Sequence, residues 1–424
     1  MKALILAGGR GERMGKITES LPKPMLKIGG FPILEHQINL LKRYGLKEVI
    51  ILTHYFSEVI ENYFRDGKEW GVKISYWQEK KPLGTTGGIK EIADKLKDDF
   101  LVIYGDKMLD MDLARVIAFH KNKKSACTLV LHQTSHLEDS DLVEIDGEQK
   151  IIAFHPKPHS PDRYFRNLVN TAVYIMSPKI LRHIRQGVKA DFGKDIFPKI
   201  VKKENLYGYL SAEYIKDIGT PARLAQARKD YEKGKVGRLN KKNRRRAIFL
   251  DRDGVINKYV EELIKPEDFG LLPGAAGAVK KINDSEFLAI VISNQPVVAK
   301  KLCSIRDIEE IHKKMETLLA KNQAKLDAIY YCPHHPDYDI KCSCRKPEIG
   351  LVKKAVEEFN IDLKNSYLVG DSFRDILCAK KAGLTSICVK TGHGCRGIDV
   401  KPDYLFNNLG HAVDFITNYK KTVK

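Results

Sequence analysis

The sequence predicts an α/β protein built as two domains, and three observations lead there. Short apolar runs alternate with segments of helical period, the pattern of strands and helices exchanging along a parallel sheet. At 424 residues the chain is long enough to bury two cores. Twice, an apolar run opens directly onto a loop suited to phosphate. Ala3–Leu6 leads into Ala7-Gly8-Gly9-Arg10-Gly11-Glu12-Arg13, and 247–250 leads into Asp251-Arg252-Asp253-Gly254.

In the first half, apolar runs predict strands over 2–6, 48–52, 73–76 and 100–104, and periodicity predicts helices over 32–44, 57–64 and 88–97. After residue 126 the pattern turns strand-rich, through 142–145, 151–154 and 170–176, and a helix over 221–231 closes this half. The basic stretch 233–245 carries Gly and Asn and is expected as a solvated linker between domains over 1–232 and 246–424. Beyond it, strands over 247–250, 288–292 and 367–369 run out at Asp251, Ser293 and Asp371. Open α/β sheets bind ligands beyond the carboxyl ends of their strands, so these three ends are expected to share one site.

Composition excludes several classes. Hydrophobic content of 43% argues against disorder. No apolar run approaches the roughly 18 residues of a membrane span. The apolar start breaks at Gly8, too early for a secretory signal, so a cytosolic location is expected. Net charge is +19, and part of the excess lies in 233–246, which has eight cations and no acid. That run contains no aromatic residue to stack bases, so nucleic acid is not the expected partner. Small anionic substrates are expected instead, with homo-oligomer formation left open. Of eight cysteines, Cys332, Cys342 and Cys344 cluster while the others scatter, which predicts reduced thiols plus one metal site.

At the first loop, glycines let backbone N–H groups approach phosphate oxygens, because no Cβ intervenes. Ile17 stands where a Walker loop has Ser or Thr, and Met14 where a dinucleotide loop has its third glycine, so neither motif is present. Together with Pro22-Lys23-Pro24, Leu83-Gly84-Thr85-Thr86-Gly87 and Gly105-Asp106, the loop makes an ordered series. Over 1–231 this series resembles the nucleoside-diphospho-sugar pyrophosphorylase family. The resemblance implies a Rossmann-like nucleotidyltransferase fold with a mixed sheet. It implies that Gly8, Gly9, Gly11 and Arg13 cradle a triphosphate, that Lys23 neutralises it, and that Gly84 lies near base and ribose. Asp106 and Asp217, the latter from Lys216-Asp217-Ile218-Gly219, would hold Mg²⁺. Lys157 would grip a sugar phosphate and Asn170 the sugar ring, although Pro156 replaces an acid usual in that family. Gln78 is a further candidate for the base. The implied chemistry is in-line attack of a sugar 1-phosphate on the α-phosphorus, with the protein positioning groups and neutralising charge.

At the second loop, Asp251 and Asp253 start from one face of a strand end. One carboxylate can attack phosphorus while the other serves as acid and then base. Bringing anions together requires a cation, and oxygen ligands suit Mg²⁺. With Ser293-Asn294-Gln295, Arg345-Lys346-Pro347 and Gly370-Asp371-Ser372-Phe373-Arg374-Asp375, the pair resembles the haloacid-dehalogenase-like phosphatases, a Rossmannoid fold, over 246–394. The resemblance implies Asp251 as nucleophile and Asp253 as general acid and base. Ser293, Asn294, Arg345 and Lys346 would surround the phosphoryl group, and Asp251, Asp253 (through its carbonyl) and Asp371 would hold Mg²⁺. Asp375 would orient the lysine or lie behind the metal.

Cys332, His334, Cys342 and Cys344 offer three thiolates and an imidazole, a closed tetrahedral set for structural Zn²⁺. This zinc loop over 332–344, immediately before Arg345-Lys346, is similar to that of the heptose-bisphosphate phosphatase group and its histidinol-phosphatase relatives. Pro296-Val297-Val298 departs from the residues usual there. The whole resembles a fusion of heptose-bisphosphate phosphatases with heptose 1-phosphate guanylyltransferases. The implied activities are removal of a 7-phosphate followed by transfer of GMP from GTP. Competing readings keep both activities on a mannose- or hexose-type phosphate with another nucleotide, or make the chain a sugar-nucleotide sensor or nucleic-acid binder.

Overall fold

Ala3–Leu6 (β1) is wholly apolar and lies at the centre of a nine-stranded sheet in the computed structural model, which describes residues 1–138, 140–160, 162–395 and 400–418. The chain forms two compact units. The first comprises Met1–His132, Asp141–Pro156 and Leu168–Asn240; the second comprises Gln133–Ser140, Lys157–Asn167 and Lys241–Lys424.

In the first unit, Glu48–Thr53 (β2) and Phe100–Tyr104 (β4) flank β1 in parallel, and Lys73–Gln78 (β3) adds in parallel outside β2. The later strands are Lys107–Asp110 (β5), Cys127–Gln133 (β6), Leu142–Ile145 (β7), Ile151–His155 (β8), Leu168–Met176 (β9), Leu206–Leu210 (β10) and Tyr214–Asp217 (β11). β9 pairs antiparallel with β4, so the sheet is mixed, in the order β8-β7-β9-β4-β1-β2-β3 with β6 pairing β9 and β10. Leu4 enters one core and Ala3 and Ile5 the other, as expected of a strand covered on both faces. The helix Ile33–Arg43 (α1) covers one face. The helix expected over 88–97 is shorter, Gly87–Glu91 (α2), with a separate 3₁₀ turn at Ala93–Lys95.

The stretch expected as a solvated linker is not one. After Pro221–Glu232 (α3) comes a helical turn, Lys235–Arg238 (α4), whose Val236 is buried in a core with Leu224 and Ala227. Asn240 is buried and donates to Asp110 Oδ1 at 2.7 Å. In the second unit Lys241 and Arg245 are buried, their cations 5.4 and 5.3 Å from the Phe359 ring centroid. Aliphatic stems and cation–π contacts take basic residues out of water here, which composition alone does not reveal.

The second unit is built on a six-stranded, wholly parallel sheet. Its strands are Arg246–Leu250 (β12), Phe287–Asn294 (β13), Ala328–Cys332 (β14), Tyr367–Gly370 (β15), Thr385–Val389 (β16) and Tyr404–Phe406 (β17), in the order β14-β13-β12-β15-β16-β17. Helices Ala275–Asp284 (α5), Ile305–Ala320 (α6), Gly350–Phe359 (α7), Phe373–Ala382 (α8) and Leu409–Asn418 (α9) accompany it. Among the described residues no helix is long and apolar enough to cross a membrane.

Two segments from early in the chain belong to this unit, so one cut after residue 232 does not describe it. α6 holds them: Gln133 donates to Glu316 Oε1 at 2.8 Å, Asn167 to the Glu316 carbonyl at 2.7 Å, and Phe165 N–H to Thr317 Oγ1 at 3.1 Å. Glu316 is 2% exposed, and burial pushes its pKa from 4.5 to about 7 despite Arg166 at 3.8 Å. A raised folded-state pKa means the native state keeps its proton longer than the unfolded chain. That contribution is whole below pH 4.5 and is lost as pH rises towards 7. The expected loss is roughly 3 kcal/mol at most. Denaturant melts of Glu316→Gln between pH 4 and 8 should show a flatter dependence than the parent; parallel curves would contradict this.

Candidate active sites

The end of β1 is drawn between its neighbours: Ala7 N–H donates to the Leu52 carbonyl at 2.8 Å, and Gly105 N–H to the Leu6 carbonyl at 2.9 Å. The loop after it borders a cavity of about 700 Å³ lined by Gly8, Gly9, Lys23, Gly84 and Asp106, all expected there. Gly11 has φ +78°, and a Cβ on it would lie 3.0 Å from Lys23 Cε, so glycine lets the lysine stem pass. Gly84, also at positive φ, has no room for a Cβ against the Ala190 carbonyl.

Asp106 and Asp217 come together through the pairing of β5 with β11, which sets Asp217 opposite Lys107. Ile218 N–H donates to the Asp106 carbonyl at 2.9 Å. Asp106 Oδ2 is 3.8 Å from Lys23 Nζ, and Asp217 Oδ2 accepts from Arg223 at 2.7 Å. The other oxygen of each carboxylate, Oδ1, is buried without a hydrogen-bond partner. Two buried, unsatisfied carboxylate oxygens are costly unless a cation meets them, so this pair fits a divalent metal.

Other expected residues lie elsewhere. Arg13 and Asp217 flank Gly219, where a Cβ would lie 2.9 Å from the Arg13 guanidinium and 3.0 Å from Asp217 Oδ1. Asn170 donates to Tyr174 Oη at 2.8 Å and accepts from Ala172 N–H at 2.9 Å, so its amide braces β9. Lys157 belongs to the second unit. Gln78 donates to Ser57 Oγ at 3.0 Å. A cavity residue not anticipated is Glu79, 8% exposed, which accepts from Gly88 N–H at 2.8 Å. Burial raises its pKa, with the Gly88 bond opposing. Its place between Gln78 and the 83–87 loop was the available signal.

In the second unit the ends of β12, β13 and β15 meet as expected around a cavity of about 150 Å³. Lys346, 2% exposed, sits between Asp251 Oδ1 at 2.9 Å and Asp375 Oδ1 at 2.6 Å and donates to the Ile292 carbonyl at 2.9 Å. Burial opposes the lysine's charge, but Asp251 and Asp375 outweigh it and its pKa is raised. Asp375 is fixed at the start of α8, accepting from Ser372 N–H at 3.1 Å and Oγ at 2.6 Å. Asn294 clamps the Lys346 backbone, accepting its N–H at 2.9 Å and donating to its carbonyl at 3.0 Å.

Asp251, Asp371 and Asp375 offer oxygens all within 4.8 Å of one another, facing a single lysine. Burial, then the neighbouring carboxylates against Lys346, pushes Asp251 up to about 8. Burial foremost pushes Asp371 to about 6, with the His393 N–H at 2.7 Å opposing. Such crowding fits a divalent cation among oxygen ligands.

The Asp253 carboxylate, expected as acid and base and not as a metal ligand, stands outside that oxygen cluster and pairs with its neighbour Arg252, 2.9 Å away. One expectation changes here. Ser293 does not line the cavity; it is 1% exposed and accepts from Gln295 Nε2 at 2.8 Å. Arg345 does line it and donates to the His334 carbonyl at 3.2 Å.

That carbonyl belongs to the Cys332, His334, Cys342 and Cys344 cluster. Sulfur–sulfur distances are 3.0–3.5 Å, and the Cys332 and Cys344 sulfurs lie 3.8 and 3.4 Å from His334 Nδ1. Four such donors could hold one metal ion with no open position. The scattered cysteines are not all free thiols, however. Cys388 and Cys395 form a disulfide, because β16 ends beside a turn that brings the chain back within 7 residues.

The nucleotidyl transferase family matches residues 2–234, and a HAD-hydrolase-like family matches residues 343–412. The chain is 33% identical over 235 residues to a mannose-1-phosphate guanylyltransferase of Mycobacterium tuberculosis, covering 55% of this chain and 65% of that protein's length. It is 34% identical to a D-glycero-alpha-D-manno-heptose 1-phosphate guanylyltransferase of Campylobacter jejuni, covering 52% of this chain and 96% of the relative. It is 35% identical to a D-glycero-beta-D-manno-heptose-1,7-bisphosphate 7-phosphatase of Haemophilus ducreyi, covering 41% of this chain and 98% of the relative.

Proposed function

The chain belongs to the nucleotidyl transferase family through residues 2–234 and to the heptose-bisphosphate phosphatase family through its second half, and on that premise we propose that it performs two consecutive steps of GDP-heptose synthesis. One observation carries the reading: the relatives of the two halves act on successive heptose phosphates. The Haemophilus phosphatase is named for the beta 1,7-bisphosphate and the Campylobacter guanylyltransferase for the alpha 1-phosphate, so the two anomers are assayed separately.

In the second unit, an Asp251 oxygen attacks the 7-phosphorus and forms an aspartyl-phosphate while the ester oxygen leaves with the bonding pair. Lys346, 2.9 Å from Asp251, holds the nucleophile and faces the phosphoryl oxygens. Asp253 gives the leaving oxygen its proton, then takes one from the water that hydrolyses the acyl-phosphate. In the first unit, the heptose 1-phosphate oxygen attacks the α-phosphorus of GTP and pyrophosphate leaves. The glycine loop and Lys23 bind and orient the triphosphate, Arg13 adds positive charge behind them, and no protein nucleophile is required. Asp106 and Asp217 at one site, and Asp251, Asp371 and the Asp253 carbonyl at the other, would hold Mg²⁺, which would supply charge neutralisation. A cytosolic location is part of this reading.

The test supplies α- and β-heptose 1,7-bisphosphate separately with each nucleoside triphosphate and Mg²⁺, following orthophosphate and pyrophosphate independently. Orthophosphate should appear without nucleotide, and pyrophosphate should require GTP. Mannose 1-phosphate is the control, given the Mycobacterium relative; preference for it over heptose 1-phosphate would overturn the substrate assignment.

We further propose Zn²⁺ at the three cysteines and His334, ordering the loop that carries Arg345 and Lys346. The protein should contain about one equivalent of zinc per chain. Cys344→Ser should lose it and cost the phosphatase about 10-fold or more, as supporting ligand shells do, with pyrophosphate release unchanged. Full phosphatase activity without zinc would refute the role.

A further inference from the structure

Arg252 lies between the two aspartates assigned to phosphoryl transfer and is wholly buried, at 0% exposure. A guanidinium removed from water must be paired, and its partners here are specific. Nη2 donates to Asp253 Oδ1 at 3.0 Å and Oδ2 at 2.9 Å, and Nε donates to Oδ1 at 3.2 Å. Nη2 also donates to Gln295 Oε1 at 2.8 Å. Nη1 lies 3.3 Å from His312 Nε2. Arginine can only donate, so His312 must accept there and carry its proton on Nδ1. His312 is 2% exposed, and burial first, then Arg252 and Arg166, hold its pKa well below the ordinary value.

The Asp253 carboxylate is thereby gripped on both oxygens. Beyond Arg252, Oδ1 accepts from Asn257 Nδ2 at 3.0 Å, and Oδ2 accepts from Gln295 Nε2 at 2.8 Å. Gln295 closes the ring, contacting both Arg252 and Asp253. Asp253 nevertheless lines the cavity. Behind Arg252 stands α6, through His312.

We propose that Arg252, with Gln295, is the positioning device for Asp253. It fixes the carboxylate beside the cavity and aims it at the oxygen leaving phosphorus. The inference rests on the phosphatase reading above and adds to it the residues that set the carboxylate's place; the arginine favours the ionised form, so what it contributes to proton transfer is geometry. In the first half-reaction the bond from Asp251 oxygen to phosphorus forms as the phosphorus–ester oxygen bond breaks. Asp253 supplies the proton to that oxygen. A well-placed acid matters greatly when the leaving group is a sugar alkoxide, and little when it is p-nitrophenolate, which leaves as a stable anion.

Single turnovers with enzyme in excess and Mg²⁺ therefore test it. In Arg252→Met, release of heptose 1-phosphate from the bisphosphate should slow about 10²–10⁴-fold, while release of p-nitrophenolate from p-nitrophenyl phosphate slows less than about 10-fold. Asp253→Asn should show the same imbalance. Equal slowing of both esters in Arg252→Met would mean a structural role and would overturn the inference. If Arg252→Met does not fold, Gln295→Met decides: a selective loss on the sugar ester supports the proposal, and an unchanged ratio overturns it. Should the unaltered protein cleave neither ester, the phosphatase reading itself fails, which is a different result.

Discussion

Asp251→Asn abolishes orthophosphate release from heptose 1,7-bisphosphate, lowering kcat by about 10⁴-fold or more, and leaves pyrophosphate release from heptose 1-phosphate and GTP intact. The side chain keeps its shape, so the fold should survive, but an amide cannot form the acyl-phosphate. It also exchanges a carboxylate for a neutral group 2.9 Å from Lys346, leaving Asp375 as that lysine's remaining carboxylate partner. Burial and the neighbouring carboxylates push the Asp251 pKa up, with Lys346 opposing. Product assays for both phosphates on one sample check the expectation. Loss of both activities from a protein with unchanged far-UV dichroism would show that the sites are not independent.

Asp106→Asn does the reverse. Pyrophosphate release should fall about 10³-fold, the scale on which removal of a charge-stabilising group acts, and orthophosphate release should not change. The reason lies in two buried oxygens, Asp106 Oδ1 and Asp217 Oδ1, that lack any hydrogen-bond partner. An amide at 106 weakens a divalent ion there and removes the carboxylate 3.8 Å from Lys23. Raising Mg²⁺ should recover part of the lost rate, and an activity indifferent to Mg²⁺ concentration would speak against a metal at this pair.

Much of both sites was legible because their residues cluster in short motifs at strand ends. Asp251 directly follows β12 and Asp371 follows β15, and a parallel sheet brings such ends to one edge. Gly8, Gly9 and Lys23 are readable for the same reason, and so are Cys332, His334, Cys342 and Cys344, whose side-chain chemistry names the ligand whatever the backbone does. Side chains with several equally good partners were less legible. Asn170 reads as a sugar contact, yet Tyr174, four residues on along the same strand, takes its amide. Asp253 reads as an acid and base, and nothing in its motif shows that the adjacent arginine holds its carboxylate. Lys241 and Arg245 read as solvated charge, yet one phenylalanine ring gathers both.

The alternation of apolar and helical segments, together with the two aspartate- and glycine-bearing loops, determined from sequence alone an α/β chain with two phosphate chemistries, since periodicity and local chemistry are written residue by residue. Tertiary structure alone decided which unit Gln133–Ser140 and Lys157–Asn167 join, that Cys388 meets Cys395, and which way Asp253 points. Each of those outcomes depends on burial and on which groups the folded backbone sets side by side, and neither is settled until the backbone has closed on itself.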